Sequence, residues 1–129
     1  MDPVRAMSVS SASTADGEFS LYDLSITVEH VGARCTCAMA VGDRFALKGG
    51  KISIPGDRNF CLYALQAVIP LLPAKQRMNR PADWMETDSV CTCPDPACGL
   101  LMRINRDQVT TFRHDDVSAL PWDEVKPKD

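Results

Sequence analysis

The sequence predicts an α+β fold: a small antiparallel sheet of about five strands packed by one main helix. Three observations predict it. One long segment alternates apolar and polar residues with a period of two. A Gly-Gly pair joins two short extended runs, and a stretch with helical apolar spacing follows, ending among prolines.

The first strand is expected over residues 22–30, where Tyr22, Leu24, Ile26, Val28 and His30 share one face. Asp23, Ser25, Thr27 and Glu29 take the other, so the strand is half-buried. Residues 41–54 read as a hairpin, because Gly49-Gly50 supplies the positive φ angles of a tight turn. Pro55-Gly56-Asp57-Arg58-Asn59 interrupts the pattern, and Asp57 or Asn59 can cap a helix. That helix is expected over residues 60–72, with Cys61, Leu65, Val68 and Leu72 on one stripe beside Ala64 and Ile69. Pro70 and Pro73 cannot donate backbone hydrogen bonds, so its last turn should be irregular. Residues 90–93 and 100–104 complete the strand count around a Pro94-Asp95-Pro96 turn.

The expected organisation is a disordered, Ser-rich leader at 1–20, a single α+β domain at 21–106, and an acidic tail at 107–129. The tail carries Trp122, which suits either a segment folded back on the core or a loose one. Net charge is -3 overall, with -2 in the leader and -3 in the tail, leaving +2 for the core. Such a weak balance excludes the dense basic stripe of a nucleic-acid binder but suits a small anionic metabolite. The first residues hold acids and no apolar run, unlike a secretory signal, and no stretch has the length of a membrane span. The expectation is a cytoplasmic protein in a reducing compartment, with a homo-oligomer left open. There the six cysteines would be thiols or metal ligands rather than disulfides.

The cysteines carry the strongest chemical signal. Cys35-Thr36-Cys37 precedes the hairpin, Cys61 lies on the helix, and Cys91-Thr92-Cys93 leads through Pro-Asp-Pro-Ala to Cys98. Thiolates suit zinc, copper or iron, and Cys35, Cys37, Cys61 and Cys93 form the candidate ligand set. Neither triplet has zinc-ribbon spacing, and on an extended strand C-x-C points its sulfurs to opposite faces. Both sulfurs can meet one ion only where the backbone bends. The plainer reading treats Cys as a small buried hydrophobe, which fits Cys61 on its apolar stripe. His30, ending the first strand's apolar face, could point inward near Cys35, although a histidine at a strand end is more often simply a satisfied polar residue, and His114 falls in the tail facing solvent.

Lys75, Arg77 and Arg80 follow the helix, where cations complement the helix dipole. Turned back, Lys75 and Arg77 could grip a carboxylate. Asp95, between its two prolines, could serve as a general acid or base or simply hold its turn. No phosphate loop, dinucleotide fingerprint or Ser-His-Asp signature is present.

Taken together, Leu21-Tyr22-Asp23-Leu24, Val41-Gly42-Asp43-Arg44-Phe45, Phe60-Cys61-Leu62-Tyr63-Ala64-Leu65, Leu72-Pro73-Ala74-Lys75-Gln76-Arg77 and Cys93-Pro94-Asp95-Pro96 resemble a family of short, uncharacterised microbial proteins. The resemblance covers residues 21–106 and implies a compact α+β domain without a settled activity. Its pattern includes cysteines matching Cys35, Cys61 and Cys93, and a histidine before the Val-Gly-Asp element. Met39 stands at that histidine here, so a Cys/His metal site would need Cys37 as the replacement ligand. The Ser-rich leader and acidic tail look like additions of a eukaryotic, fungal version, and by analogy such proteins can act as tailoring enzymes in metabolite pathways.

Three functions follow as expectations. The first is a small tailoring enzyme of secondary metabolism without an organic cofactor, a decarboxylase or other lyase acting on a carboxylate-bearing metabolite. Lys75 and Arg77 would bind the anion, while Cys35, Cys93 or Asp95 handles the proton. The alternative is a cysteine-thiolate metal-binding or redox module. A regulatory or scaffold protein acting through residues 107–129 is the third.

Overall fold

A computed structural model describes residues 15–128. The expected leader lies outside the described residues up to 14; its last residues, 18–20, already belong to the first strand. The fold is α+β, as expected. Five strands, β1 (Glu18–His30), β2 (Arg44–Lys48), β3 (Lys51–Ser53), β4 (Val90–Thr92) and β5 (Leu101–Arg113), form one sheet in the order β3-β2-β1-β5-β4. Every neighbouring pair is antiparallel.

The period of two in β1 builds the core. Tyr22, Leu24, Ile26 and Val28 face inward with Phe45 and Leu47 from β2 and Met102 and Ile104 from β5. Each such side chain fully removed from water contributes about 1.5–3 kcal/mol. The opposite face pairs polar groups across strands. Asp23 accepts from Thr110 Oγ1 at 2.8 Å and Gln108 Nε2 at 3.2 Å, and Ser25 donates to Asp107 at 3.1 Å.

His30 departs from expectation. A register shift between Val28 and His30 takes it off the apolar face, and it is exposed rather than turned inward.

The helical layer is also more broken than the sequence suggests. The expected helix at 60–72 is α1 (Leu62–Val68), a 3₁₀ turn at Ile69–Leu71, and α2 (Leu72–Lys75). Pro70 sits at the start of the 3₁₀ turn and Pro73 at the start of α2, where a missing N–H is tolerated. Ala64, Val68 and Leu72 still form one buried stripe across the break. A short α3 (Trp84–Thr87) is capped by Asp83, whose carboxylate accepts from the Met85 amide at 2.8 Å.

The last strand is longer than the expected 100–104 and runs past the anticipated boundary at residue 106, pairing as far as Glu18 with Arg113. Two single-turn helices follow, α4 (His114–Val117) and α5 (Trp122–Val125). Trp122 folds back: its Nε1 donates to Asp16 at 3.2 Å and its ring covers Gly17. Among the described residues, no helix is long and apolar enough to cross a membrane.

Candidate functional site

Three chain segments meet beside the core. The first leaves β1 and returns to β2 through residues 31–43. Its base is sealed where Gly42 N–H donates to Val28 C=O at 2.9 Å and Val28 N–H donates to Asp43 C=O at 2.8 Å. Met39, buried in the core, anchors the middle. Cys35-Thr36-Cys37 therefore lies in a turn, not on a strand. The following residue, Ala38, has φ 55°, a left-handed conformation uncommon for a residue with a Cβ.

The second segment is the entry to α1. Phe60 packs edge-on against Phe45, with ring centroids 4.9 Å apart, and this fixes Cys61 at the N-cap position. The third is the loop 93–99. Cys93 N–H donates to Leu100 C=O at 3.1 Å, Cys98 N–H to Asp95 C=O at 3.0 Å, and Ala97 N–H to the Asp95 carboxylate at 3.0 Å. Gly32 docks the first loop on the third: a Cβ there would lie 2.0 Å from the Cys98 carbonyl oxygen. Only glycine permits that approach.

The result is a cavity of about 390 Å³ with Cys35, Cys37, Cys61, Cys93 and Cys98 in its wall. All six cysteines of the chain are free thiols. Cys91 is the one outside, because β4 is extended there and its sulfur points away from that of Cys93. The two C-x-C triplets thus behave oppositely: the turn unites Cys35 and Cys37, while the strand separates Cys91 from Cys93.

The thiols shift one another's proton affinity. The neighbouring Cys61 thiol, and after it burial, raises the Cys37 pKa. At Cys61 burial works to raise the pKa, but the Ala64 amide, the Cys37 thiol and the Tyr63 amide outweigh it and lower the value. Cys98 is pushed up to about 11, chiefly by burial and further by bonding with Cys93 and Cys35. Burial also raises Cys91, against the pull of the Lys75 charge.

The expected catalytic residues Cys35, Cys93 and Asp95 do line one cavity, as do the candidate metal ligands Cys35, Cys37, Cys61 and Cys93. Even so, no three His, Cys, Asp or Glu side chains among the described residues stand as a set that could hold a metal ion.

The expected anion grip is not at this cavity. Lys75 is buried, and its ammonium donates to the Asp88 carbonyl and the Ser89 hydroxyl. Its pKa is lowered, first by burial and then by the Arg106 charge. Arg77 is exposed, and its guanidinium donates to the Pro73 carbonyl at 2.8 Å. Both positions follow from the C-terminal end of α2, whose backbone carries them to the side facing α3.

Arg34 is the cation in the cavity wall, and sequence reasoning passed over it. Its signal was adjacency to Cys35-Thr36-Cys37. Arg106 was missed too. It is a structural residue, stacked 4.5 Å over the Tyr22 ring and paired with Glu86 through two bonds of 2.5 and 2.9 Å.

The fold and cavity define a small α+β protein with a thiol-lined pocket. No family model, curated protein or solved structure matches the chain.

Proposed function

We propose that the protein is a cysteine-thiol redox module whose working site is this cavity. The observation that carries the reading is the convergence of five thiols from three separate segments on one cavity. Cys93 and Cys98 also belong to the core and Cys35 and Cys61 pack against it, but all of them turn toward the same solvent-accessible space together with the exposed Cys37. Two further features support it. The thiols share one cavity and shift one another's proton affinity, and their thiolate tendencies diverge between Cys61, lowered, and Cys98, raised. The cysteines that the family resemblance singles out, Cys35, Cys61 and Cys93, all belong to the wall.

The test is a thiol count by mass spectrometry after graded oxidation of the reduced protein with diamide. Loss of thiols in steps of two, confined to the cavity cysteines and reversed by dithiothreitol, is the expected result. Loss at Cys91, or no loss while the protein stays folded, overturns the reading.

A second reading is favoured by Arg34 and Asp95 sharing the cavity with Cys35 and Cys93. In it the protein is a decarboxylase or other lyase. Arg34 would hold the substrate carboxylate, and a thiol or Asp95 would deliver the proton. Decarboxylation of a small metabolite that is lost in Arg34→Ala and kept in Arg77→Ala would decide for it.

A further inference from the structure

We infer that the cavity takes small disulfides of zwitterionic amino acids, with Arg34 holding the substrate carboxylate and Asp95 its ammonium group. This substrate class rests on the redox reading above and deepens it. Among the described residues of the cavity wall, Arg34 and Asp95 are the two charged side chains, and they are of opposite sign.

Their placement follows from the docking of two loops. A Cβ on Gly32 would lie 2.0 Å from the Cys98 carbonyl oxygen, so the two backbones touch there. Arg34 follows Gly32 by two residues and Asp95 precedes Cys98 by three, and the contact brings both to one cavity. Asp95 is also oriented by its turn. Its Oδ1 accepts from the Ala97 amide at 3.0 Å, and its carbonyl accepts from the Cys98 amide at 3.0 Å. The second carboxylate oxygen is left to a ligand.

Elsewhere the fold neutralises neighbouring charges directly: Arg58 pairs with Asp43, Arg103 with Glu29 and Arg106 with Glu86. Arg34 and Asp95 share a wall, yet they form no ion pair with each other or with another described residue. Opposite charges held apart across one cavity are complementary to a molecule that carries both signs. An α-amino acid carries both on one carbon, and the planar guanidinium fork suits its carboxylate. A plain anion would be opposed by Asp95 and a plain amine by Arg34.

The thiols supply the rest of the assignment. Cys35, Cys37, Cys61, Cys93 and Cys98 line the same wall, so a disulfide anchored at its charged end presents its sulfurs to them. The volume of about 390 Å³ lies near the small end of the ~300–1,000 Å³ typical of ligand pockets, which suits such a molecule better than a peptide. In the exchange, two wall thiols lose two protons and two electrons and join in one protein disulfide. The substrate S–S bond breaks, and its halves leave as two thiol amino acids carrying those protons and electrons.

The experiment times the loss of cavity thiols in the reduced full chain at neutral pH and low salt, with four disulfides of different charge. Cystine carries both signs at each end, dithiodipropionate is anionic, cystamine cationic and bis-hydroxyethyl disulfide neutral. Each rate is divided by that of a free small thiol with the same disulfide, and peptide mass spectrometry identifies the cysteines oxidised. Cystine should react roughly fivefold faster than the neutral disulfide, an advantage that added salt erodes. Arg34→Ala should slow cystine and dithiodipropionate but not the neutral disulfide, and Arg34→Lys should restore part of the loss. Asp95→Asn, which keeps an acceptor for the Ala97 amide, should slow cystine and cystamine alone. A cystine rate no greater than the neutral one, or an advantage unchanged in both variants, overturns this assignment and leaves the redox reading standing. A preference for dithiodipropionate over cystine marks a plain anion site and overturns it too. Inertness of every cavity thiol to all four disulfides and to diamide overturns both. The charge series on the unsubstituted protein keeps the test decisive even where a variant fails to fold.

Discussion

Arg106 and Glu86 form a part-buried ion pair, in which the Glu86 side chain is 1% exposed and the Arg106 side chain 22%. The guanidinium also donates to the carbonyls of Lys75 and Arg77, at 2.8 and 2.9 Å. It therefore ties the end of α2 to the middle of β5. Removing Glu86 takes the counter-charge from a part-buried guanidinium that keeps its carbonyl partners, and removing Arg106 leaves the Glu86 carboxylate without its main partner, so the loss reaches at most about 3–5 kcal/mol. Glu86→Ala should accordingly lower the urea midpoint by up to that equivalent. Arg106→Lys should cost a substantial part of it, since lysine cannot reproduce the planar two-bond grip.

The same pair sets an acid limit. Arg106 holds the Glu86 carboxyl down to about 2, against burial and with help from the Asn79 amide. Because this carboxyl has a lower pKa folded than unfolded, its stabilisation is full above about 4.5 and is lost as pH falls toward about 2. The linked loss is about 3 kcal/mol. Unfolding free energy measured between pH 6 and pH 2 should show this decline, and Glu86→Gln should flatten it.

Gly32→Ala should be disproportionately harmful for a surface-loop substitution. The new methyl group meets backbone rather than a flexible side chain, so one loop must move away from the other. Overpacking of this kind costs about 1–3 kcal/mol. Cys98 alkylation should accelerate as its loop lifts, and a Cys98 as protected as in the unsubstituted protein would contradict the docking described.

The tail contact should matter little to the cavity. Trp122 covers Gly17 and stands 5.4 Å from the His114 ring, at the far end of the β1–β5 ribbon. Trp122→Ala should cost about 1 kcal/mol and raise amide exchange near residues 16–19, leaving the alkylation pattern of the cavity thiols unchanged. Altered cavity reactivity in that variant would revive the tail as a regulatory segment.

Much of the sheet was legible because a period of two has one simple solution. Tyr22, Leu24, Ile26 and Val28 declared their face, and Gly49-Gly50 declared its turn. The misreading of His30 came from a register shift, which leaves no mark in side-chain alternation. The helix break was signalled by Pro70 and Pro73, though not the persistence of the buried stripe across it.

Part of the candidate site was also legible. Cys35, Cys37, Cys61 and Cys93 could be named, but whether a C-x-C triplet shares a cavity depends on turn or strand at that point. Cys98 entered through the fold of its own loop. The placement of Lys75 was not legible because its partners, Asp88, Ser89 and Arg106, are remote in sequence, whereas Arg77 is held by the nearby Pro73 carbonyl.

The central pair of the sheet also governs how the chain can assemble. β1 finds one neighbour, β2, soon after it is made, but its other neighbour, β5, is separated from it by most of the domain. A chain emerging from the ribosome must therefore hold its first long strand half-paired until residue 113 is available, so folding is dominated by late, non-local contacts and should be slow. The thiols at 35, 37 and 61 are synthesised before the 93–99 loop that closes over them. During that interval they are open to wrong partners, so thiol mispairing is a hazard of the nascent chain more than of the finished protein.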